Sequence, residues 1–356
     1  MTLRAFHDSA RNILDPVVYD YVAGGADEER VLSDNEQAFD RYALLPRVLS
    51  GDGARDTAVD LPGARRAAPV IVAPTAFHRL VHREGERATA RAAAAEGAVL
   101  VTGVAATTPV HEVVAAAREA DPEAAVWFQL YPHPRREVTD ALVRRAEEAG
   151  CAALVVTVDS PVFGRRTRDL RNGFSDLPAG YAAENMRGLP GSGPGALTDI
   201  PMSASVRWPD FAAIVRGTPL PVLIKGVLHP DDALLAVEHG AAGVFVSNHG
   251  GRQCDVVPAA VDCLPAVCGA VAGRVPVLLD GGVRRGADVA VALALGASAV
   301  GVGRPVVWGL AADGEAGVRR VLGALRDEYD HTLALCGGRR NSDLTAGMVV
   351  RRGGTW

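Results

Sequence analysis

The sequence predicts a (β/α)8 barrel, an α/β fold of eight parallel strands, preceded by a helical segment. Three observations carry that prediction. Eight short, nearly continuous apolar runs recur along the chain, helical stretches separate most of them, and the polar residues of the runs gather at their C-terminal ends. Parallel strands covered on both faces read as unbroken apolar runs, and alternation with helices implies a parallel sheet. At 356 residues the chain is longer than one core usually allows, and the barrel is an architecture that reaches this size as a single domain. A doubly wound sheet is the structural alternative, but it has no reason to stop at eight evenly spaced repeats.

Taken in order, residues 1–60 form the expected N-terminal helical segment and 61–340 the barrel, all within one domain spanning 1–356. The runs are APVIVAPTA (68–76), AVLVTG (98–103), AVWFQLY (125–131), ALVVTVD (153–159), PVLIKGV (221–227), GVFVSNH (243–249), VPVLLDGG (275–282) and AVGVGRP (299–305). REVTDALVRRAEEAG and PDDALLAVEHGA place apolar residues at helical spacing with charges opposite, and VRRGADVAVALALGA is similar in length but more apolar. The gap from 160 to 207 separates the fourth and fifth strands. Its GLPGSGPGALTD stretch suits neither helix nor strand, so residues 172–205 are expected to form a lid loop.

The bulk numbers narrow the class. A net charge of −5 argues against a nucleic-acid partner, which usually needs a basic face. The five cysteines form no CxxC pair and are expected as reduced thiols; no metal site is expected. The N-terminus has no signal-peptide core and no apolar run approaches the ~20 residues of a membrane span. These features predict a soluble cytoplasmic protein.

The polar strand ends are Gln129 and Tyr131, Thr157 and Asp159, Lys225, Ser247 and His249, Asp280, and Arg304. Any one of them alone reads as a structural ion pair. Together they point to one site on the barrel's C-terminal face, where barrels carry their chemistry. DGGVRRG follows the seventh strand and VGRP ends the eighth. Loops there form the usual phosphate site of this architecture, with glycine backbone N–H groups close to the anion. Arg284 and Arg304 could add charge-assisted hydrogen bonds. A phosphorylated ligand is therefore expected.

Seven motifs in order carry a family resemblance. They are YDYVAGGADEE (19–29), APTA (73–76), FQLY (128–131), TVDSPVFGRR (157–166), IKGV (224–227), SNHGGRQ (247–253) and DGGVRRG (280–286). With these, the chain resembles the FMN-dependent 2-hydroxy-acid oxidases and dehydrogenases from about residue 7 to 340. The resemblance implies that the phosphate belongs to FMN, with Gly281, Gly282, Arg284, Gly303 and Arg304 around it and Asp280 on the ribityl chain. It assigns Ala76, Gln129, Thr157 and Ser247 to the flavin ring and Lys225 to its N1 and C2=O edge, where a fixed cation favours electron uptake. It assigns Arg166 and Arg252 to the substrate carboxylate, with Tyr21 adding a hydroxyl and Tyr131 at the substrate oxygen. His249 becomes the base and Asp159 its orienting carboxylate. The implied reaction converts an (S)-2-hydroxy acid to the 2-oxo acid, with oxygen taking the electrons as peroxide. A homotetramer is the assembly implied.

Two positions depart from the glycolate-oxidase pattern. Gly103 stands where a flavin-contacting Ser is expected, and Ala105 where a Trp narrows the pocket. The freed volume at Ala105, with Phe77 nearby, favours an aryl substrate such as mandelate or 4-hydroxymandelate. The lid lacks the long apolar insert that binds some relatives to membranes. A decarboxylating monooxygenase, or a dehydrogenase with another acceptor, would use the same residues. Other FMN barrels lack the base-plus-arginine pair, and a non-catalytic paralogue predicts damage that the site residues do not show.

Overall fold

The computed structural model describes residues 2–50, 53–190 and 200–353. Its centre is a closed barrel of eight parallel strands. They are β1 (Val70–Val72), β2 (Leu100–Gly103), β3 (Val126–Leu130), β4 (Ala153–Thr157), β5 (Val222–Val227), β6 (Gly243–Val246), β7 (Val277–Asp280) and β8 (Ala299–Val302). Each of the eight apolar runs contains one strand. Neighbours pair in chain order, and β8 closes on β1 with Val300 opposite Val70 and Val302 opposite Val72. The strands are shorter than the runs, which begin before the ladder or, in six of the eight, continue beyond it. His249 therefore belongs to the rim loop after β6 and Arg304 to the start of the helix after β8, and neither to the sheet.

Side chains alternate across a strand, and the two resulting sets are both buried. Ile71, Val101, Trp127, Val155, Leu223, Phe245, Leu278 and Ala299, one from each strand, fill the barrel. Val70, Val72, Phe128, Leu154, Val156, Val244 and Leu279 face the helices. That double burial is why the runs show no polar alternation. The three helices with the periodicity noted above span Arg136–Ala149, Pro230–Glu238 and Gly286–Ala294.

The N-terminal segment is less uniformly helical than expected. It holds helices Leu3–Ile13, Pro16–Ala23 and Arg30–Gln37, but Tyr42–Leu44 pairs antiparallel with Val349–Arg351. A hairpin, Val59–Leu61 with Ala64–Arg66, packs Leu61 against the strand starts and plugs the barrel's lower end. The second helix matters most for the site. Pro16 fits its first turn and the Asp15 carboxylate accepts from Val17 N at 2.8 Å, fixing the start of the helix that delivers Tyr21.

Between β4 and β5 the described residues form helix Thr167–Asn172, a 3-10 turn, Glu184–Met186, and helix Trp208–Arg216, which leads into β5. Phe174, Leu177 and Tyr181 from this lid join Tyr21 and Phe77 in a small apolar cluster that Ala105 packs against. Most of GLPGSGPGALTD, residues 191–199, lies outside the described residues. Among the described residues no helix is long and apolar enough to cross a membrane, no His, Cys or carboxylate cluster could hold a metal, and all five cysteines are unpaired.

Candidate active site

A cleft of about 170 Å³ opens at the C-terminal end of the barrel. Tyr21, Phe77, Ala105, Tyr131, Arg166, His249 and Arg252 line one end. Asp280, Gly281, Gly282, Arg284, Gly303 and Arg304 line the other, with Ala76, Gln129, Thr157 and Lys225 between. Of the residues singled out from sequence, only Asp159 and Ser247 stand behind its wall.

His249 takes φ +58° and is followed by Gly250 at +63° and Gly251 at +74°. Three consecutive left-handed residues reverse the chain at once, and a side chain at Gly251 would collide with Leu32 N, 2.6 Å from an added Cβ. For histidine this conformation costs on the order of 1–2 kcal/mol. Two hydrogen bonds hold it there: His249 N donates to Ser247 Oγ at 3.1 Å, and Nδ1 lies 2.9 Å from Asp159 Oδ1.

Asp159 settles which imidazole nitrogen carries the proton. Burial works against its charge, but His249, Lys225 and the Ser160 hydroxyl together hold its carboxyl below the usual range. An ionised carboxylate only accepts, so His249 Nδ1 carries the hydrogen and Nε2 is left as an acceptor facing Tyr131, 3.4 Å away. Burial and then the charge of Asp159 push the Tyr131 phenol above its ordinary value. Tyr131 keeps its proton and is the donor across that gap.

The two arginines that the resemblance assigns to the substrate carboxylate, Arg166 and Arg252, are both half-buried. Arg252 donates to the carbonyls of Tyr21 at 2.9 Å and Gly24 at 2.8 Å, and its guanidinium sits 5.3 Å over the Tyr21 ring. Arg166 Nε is buried with no protein partner. Burial, and next the charge of Arg166, push Arg252 below its ordinary value. Among the described residues neither guanidinium forms an ion pair with a carboxylate. Two like charges desolvated side by side are unfavourable until an anion joins them.

At the other end, Lys225 Nζ lies 3.0 Å from Asp280 Oδ2 and donates to Ser247 Oγ at 2.8 Å. Ser247, which the resemblance assigns to the flavin ring, is fully buried under this lysine and does not line the cleft. A hydroxyl one residue past β6 turns sideways, and it fixes both the cation and the backbone of the base. Gln129 Nε2 donates to Thr157 Oγ1 at 3.0 Å. Gly282, at φ +83°, passes so near Asn35 that an added Cβ would lie 1.9 Å from its carbonyl. Asn35 and Asn248 exchange amide hydrogen bonds at 2.9 and 2.8 Å beside Gly281. Asn35 had no signal in the sequence, since it lies in an ordinary helix before the barrel.

The two expected phosphate arginines differ. Arg284 pairs with Glu36 at 2.7 Å and lies at the cleft end. Arg304 donates to the carbonyls of Val22, Gly24 and Gly250, so it also ties the Tyr21 helix to the His249 loop. Burial, followed by the charges of Arg252 and Arg284, pushes Arg304 well below its ordinary value. It heads a helix that runs from Arg304 to a break at Asp313 and Gly314, and whose N-terminus adds a favourable dipole for an anion.

These residues fit FMN. The arginines and glycines of the last two loops suit a phosphate, and Asp280 Oδ1 is buried in the cleft without a donor, as a ribityl hydroxyl would require. Gln129 and Thr157 offer amide and hydroxyl groups to a heterocycle edge. An added Cβ at Gly103 would sit 2.8 Å from Gln129 Oε1, so Gln129 occupies the space a serine there would take.

The FMN-dependent dehydrogenase family matches residues 10–351. The chain is 45% identical to glycolate oxidase 3 of Arabidopsis thaliana over 94% of its length and 92% of that protein. It is 44% identical to glycolate oxidase of Spinacia oleracea, covering 96% of this chain and 93% of that one. A crystal structure of mandelate oxidase with 3,3-difluoro-2-hydroxy-3-phenylpropionic acid superposes with a TM-score of 0.90 at 39% identity, over 99% of both chains. Mandelate oxidase with benzoyl-formic acid gives 0.89 at 40%, covering 100% of this chain and 99% of the other. The chain belongs to the FMN-dependent dehydrogenase family and is an FMN-dependent 2-hydroxy-acid oxidase, an oxidoreductase acting on CH–OH.

Proposed function

We propose that this enzyme oxidises an (S)-2-hydroxy acid with an aryl side chain, of the mandelate or 4-hydroxymandelate kind, and that oxygen takes the electrons and leaves as hydrogen peroxide. The observation that carries the substrate is the apolar wall opposite the base. Ala105, Phe77 and Tyr21 line the cleft, and Phe174, Leu177 and Tyr181 of the lid pack behind them. A small charged acid leaves that wall unused. A ring buries against it at about 25 cal/mol per Å² of apolar surface.

The residues divide the work as follows. Arg252 and Arg166 take the carboxylate, and Tyr131 donates to the substrate oxygen. His249 Nε2 takes the proton while Asp159 stabilises the imidazolium through Nδ1. FMN, which Gln129, Thr157, Asp280 and the glycines and arginines of the last two loops would hold, would supply the two-electron acceptor chemistry. Lys225, held by Asp280 and Ser247, keeps a positive charge at the cleft wall between its two ends. The five unpaired cysteines support a reducing, cytoplasmic location, which cell fractionation would test.

The names of the curated relatives favour a second substrate, glycolate. Comparing kcat/KM for mandelate, 2-hydroxyoctanoate, lactate and glycolate, with product analysis under air, separates the readings. Mandelate foremost with benzoylformate and peroxide supports the proposal. A preference for glycolate overturns the substrate, and benzoate with carbon dioxide overturns the oxidase in favour of a decarboxylating monooxygenase.

A further inference from the structure

The segment that carries His249 and Arg252 is tied at both ends to one helix that precedes the barrel, Arg30–Gln37. At the near end, Asn35 Nδ2 donates to Asn248 Oδ1 at 2.9 Å and Asn248 Nδ2 donates to Asn35 Oδ1 at 2.8 Å. Both side chains are buried. Ala260 N donates to Asn35 Oδ1 at 3.2 Å, and a backbone donor there settles which way both amides point. Asn248 Oδ1 also accepts from Gly251 N at 3.3 Å. The Asn248 amide thus closes the left-handed turn from inside, and Asn35 holds that amide.

At the far end, the buried Asp255 carboxylate accepts from Val31 N at 2.9 Å and from Glu28 N at 3.1 Å. The first N–H groups of a helix have no partner within it. Glu29, the residue before this helix, takes φ +61° and offers no side-chain cap. Asp255 supplies the cap from the base loop. Between the two ends, Ala26 N donates to Gly251 O at 2.8 Å. Burying such polar groups costs desolvation that apolar side chains would avoid; what hydrogen bonds add is direction. The conformation they direct is a strained one, His249 at φ +58°, and strain of that kind persists only where the surroundings over-determine it.

We propose that helix Arg30–Gln37 is a splint for the reacting end of the cleft, with Asn35 and Asp255 as positioning residues. Asn35, through Asn248, holds the turn that aims His249 Nε2 at the substrate. Asp255, three residues beyond Arg252, fixes the other end of the loop and so where that guanidinium meets the carboxylate. Neither residue lines the cleft. The proposal rests on the roles given above to His249 and Arg252.

The test uses the FMN-loaded enzyme and two variants. Asn35→Leu keeps the bulk and loses the hydrogen bonds; Asp255→Asn keeps the shape of the cap and loses its charge. Anaerobic stopped-flow mixing with mandelate gives the limiting bleaching rate and the substrate dissociation constant, and hydrogen exchange reports the backbone N–H groups of residues 249–253. Asn35→Leu is expected to lower the limiting rate by about 10–100-fold, the cost of a misplaced catalytic group, with substrate affinity little changed. Asp255→Asn is expected to weaken substrate binding about ten-fold, as a poorly placed charged hydrogen bond does, with the limiting rate little changed. In both, exchange should quicken over 249–253 and stay as before in the barrel strands. Asn248→Leu should match Asn35→Leu, and the double variant should be no slower than the slower single, because one contact is lost once. His249→Gln and Arg252→Met, measured alongside, test the roles themselves. If those two lose rate and affinity while Asn35→Leu and Asp255→Asn lose neither, the splint is overturned and the roles stand. Exchange that quickens through the barrel strands as well, or rate losses that multiply in the double variant, also overturns the splint.

Discussion

The two ends of the cleft are built differently. The phosphate end is made largely of backbone: Gly281 and Gly282 at positive φ, packed against Asn35, with a helix N-terminus beside them. The reacting end is made of side chains carried by separate elements. Tyr131 comes from beyond β3, Asp159 and Arg166 from beyond β4, His249 and Arg252 from beyond β6, and Tyr21 from a helix before the barrel. A backbone cradle fixes one chemistry and tolerates little change. Side chains on several loops let the substrate change while the cofactor stays. The apolar wall at Ala105 is the part of that end with the greatest freedom.

That contrast is best broken by damaging one end at a time. The largest effect is expected from His249→Gln, which removes the base and keeps the cradle. Anaerobic bleaching should slow by about 10⁴, at the upper range for a lost acid–base group, while the protein purifies yellow with unchanged FMN affinity. Arg252→Met should lower kcat/KM by roughly 10²–10³, the cost of a lost charged hydrogen-bonding group. Most of that loss should be read in KM, and an amide analogue of the substrate should be affected less. Gly282→Ala does the opposite. Its Cβ has no room against the Asn35 carbonyl, so a loss of about 1–3 kcal/mol is expected in thermal melts, together with pale protein that regains little FMN on dialysis. The smallest effect belongs to Gly103→Ser. Gln129 already fills the space, so the new hydroxyl displaces a flexible amide, and FMN affinity should change by less than about ten-fold.

The same contrast decides what was legible in the sequence. Strands buried on both faces announce themselves as apolar runs, and any polar residue ending one stands out. That is how Lys225, Asp280 and His249 could be found. Their partners could not be read as easily. Ser247 ends a run too, but whether its hydroxyl turns to the cleft or under Lys225 depends on a side-chain direction that the pattern does not encode. Asn35 is a polar residue in a short amphipathic helix, with nothing local to tell it from a solvated one. The lid residues Phe174, Leu177 and Tyr181 are spaced too irregularly to mark a face, and only the fold brings them to Tyr21.

The reacting end is held here to set the substrate without reference to the flavin end. The most direct measurement is the anaerobic bleaching rate for mandelate and for glycolate, in the unaltered enzyme and in Ala105→Trp, alongside FMN affinity. The unaltered enzyme should be bleached faster by mandelate. Ala105→Trp should lower the mandelate rate by roughly 10–100-fold, the range for filling a pocket of this kind. Glycolate should be nearly unaffected and FMN should bind as before. Faster bleaching by glycolate in the unaltered enzyme, or a mandelate-to-glycolate ratio that Ala105→Trp leaves unchanged, would contradict the account.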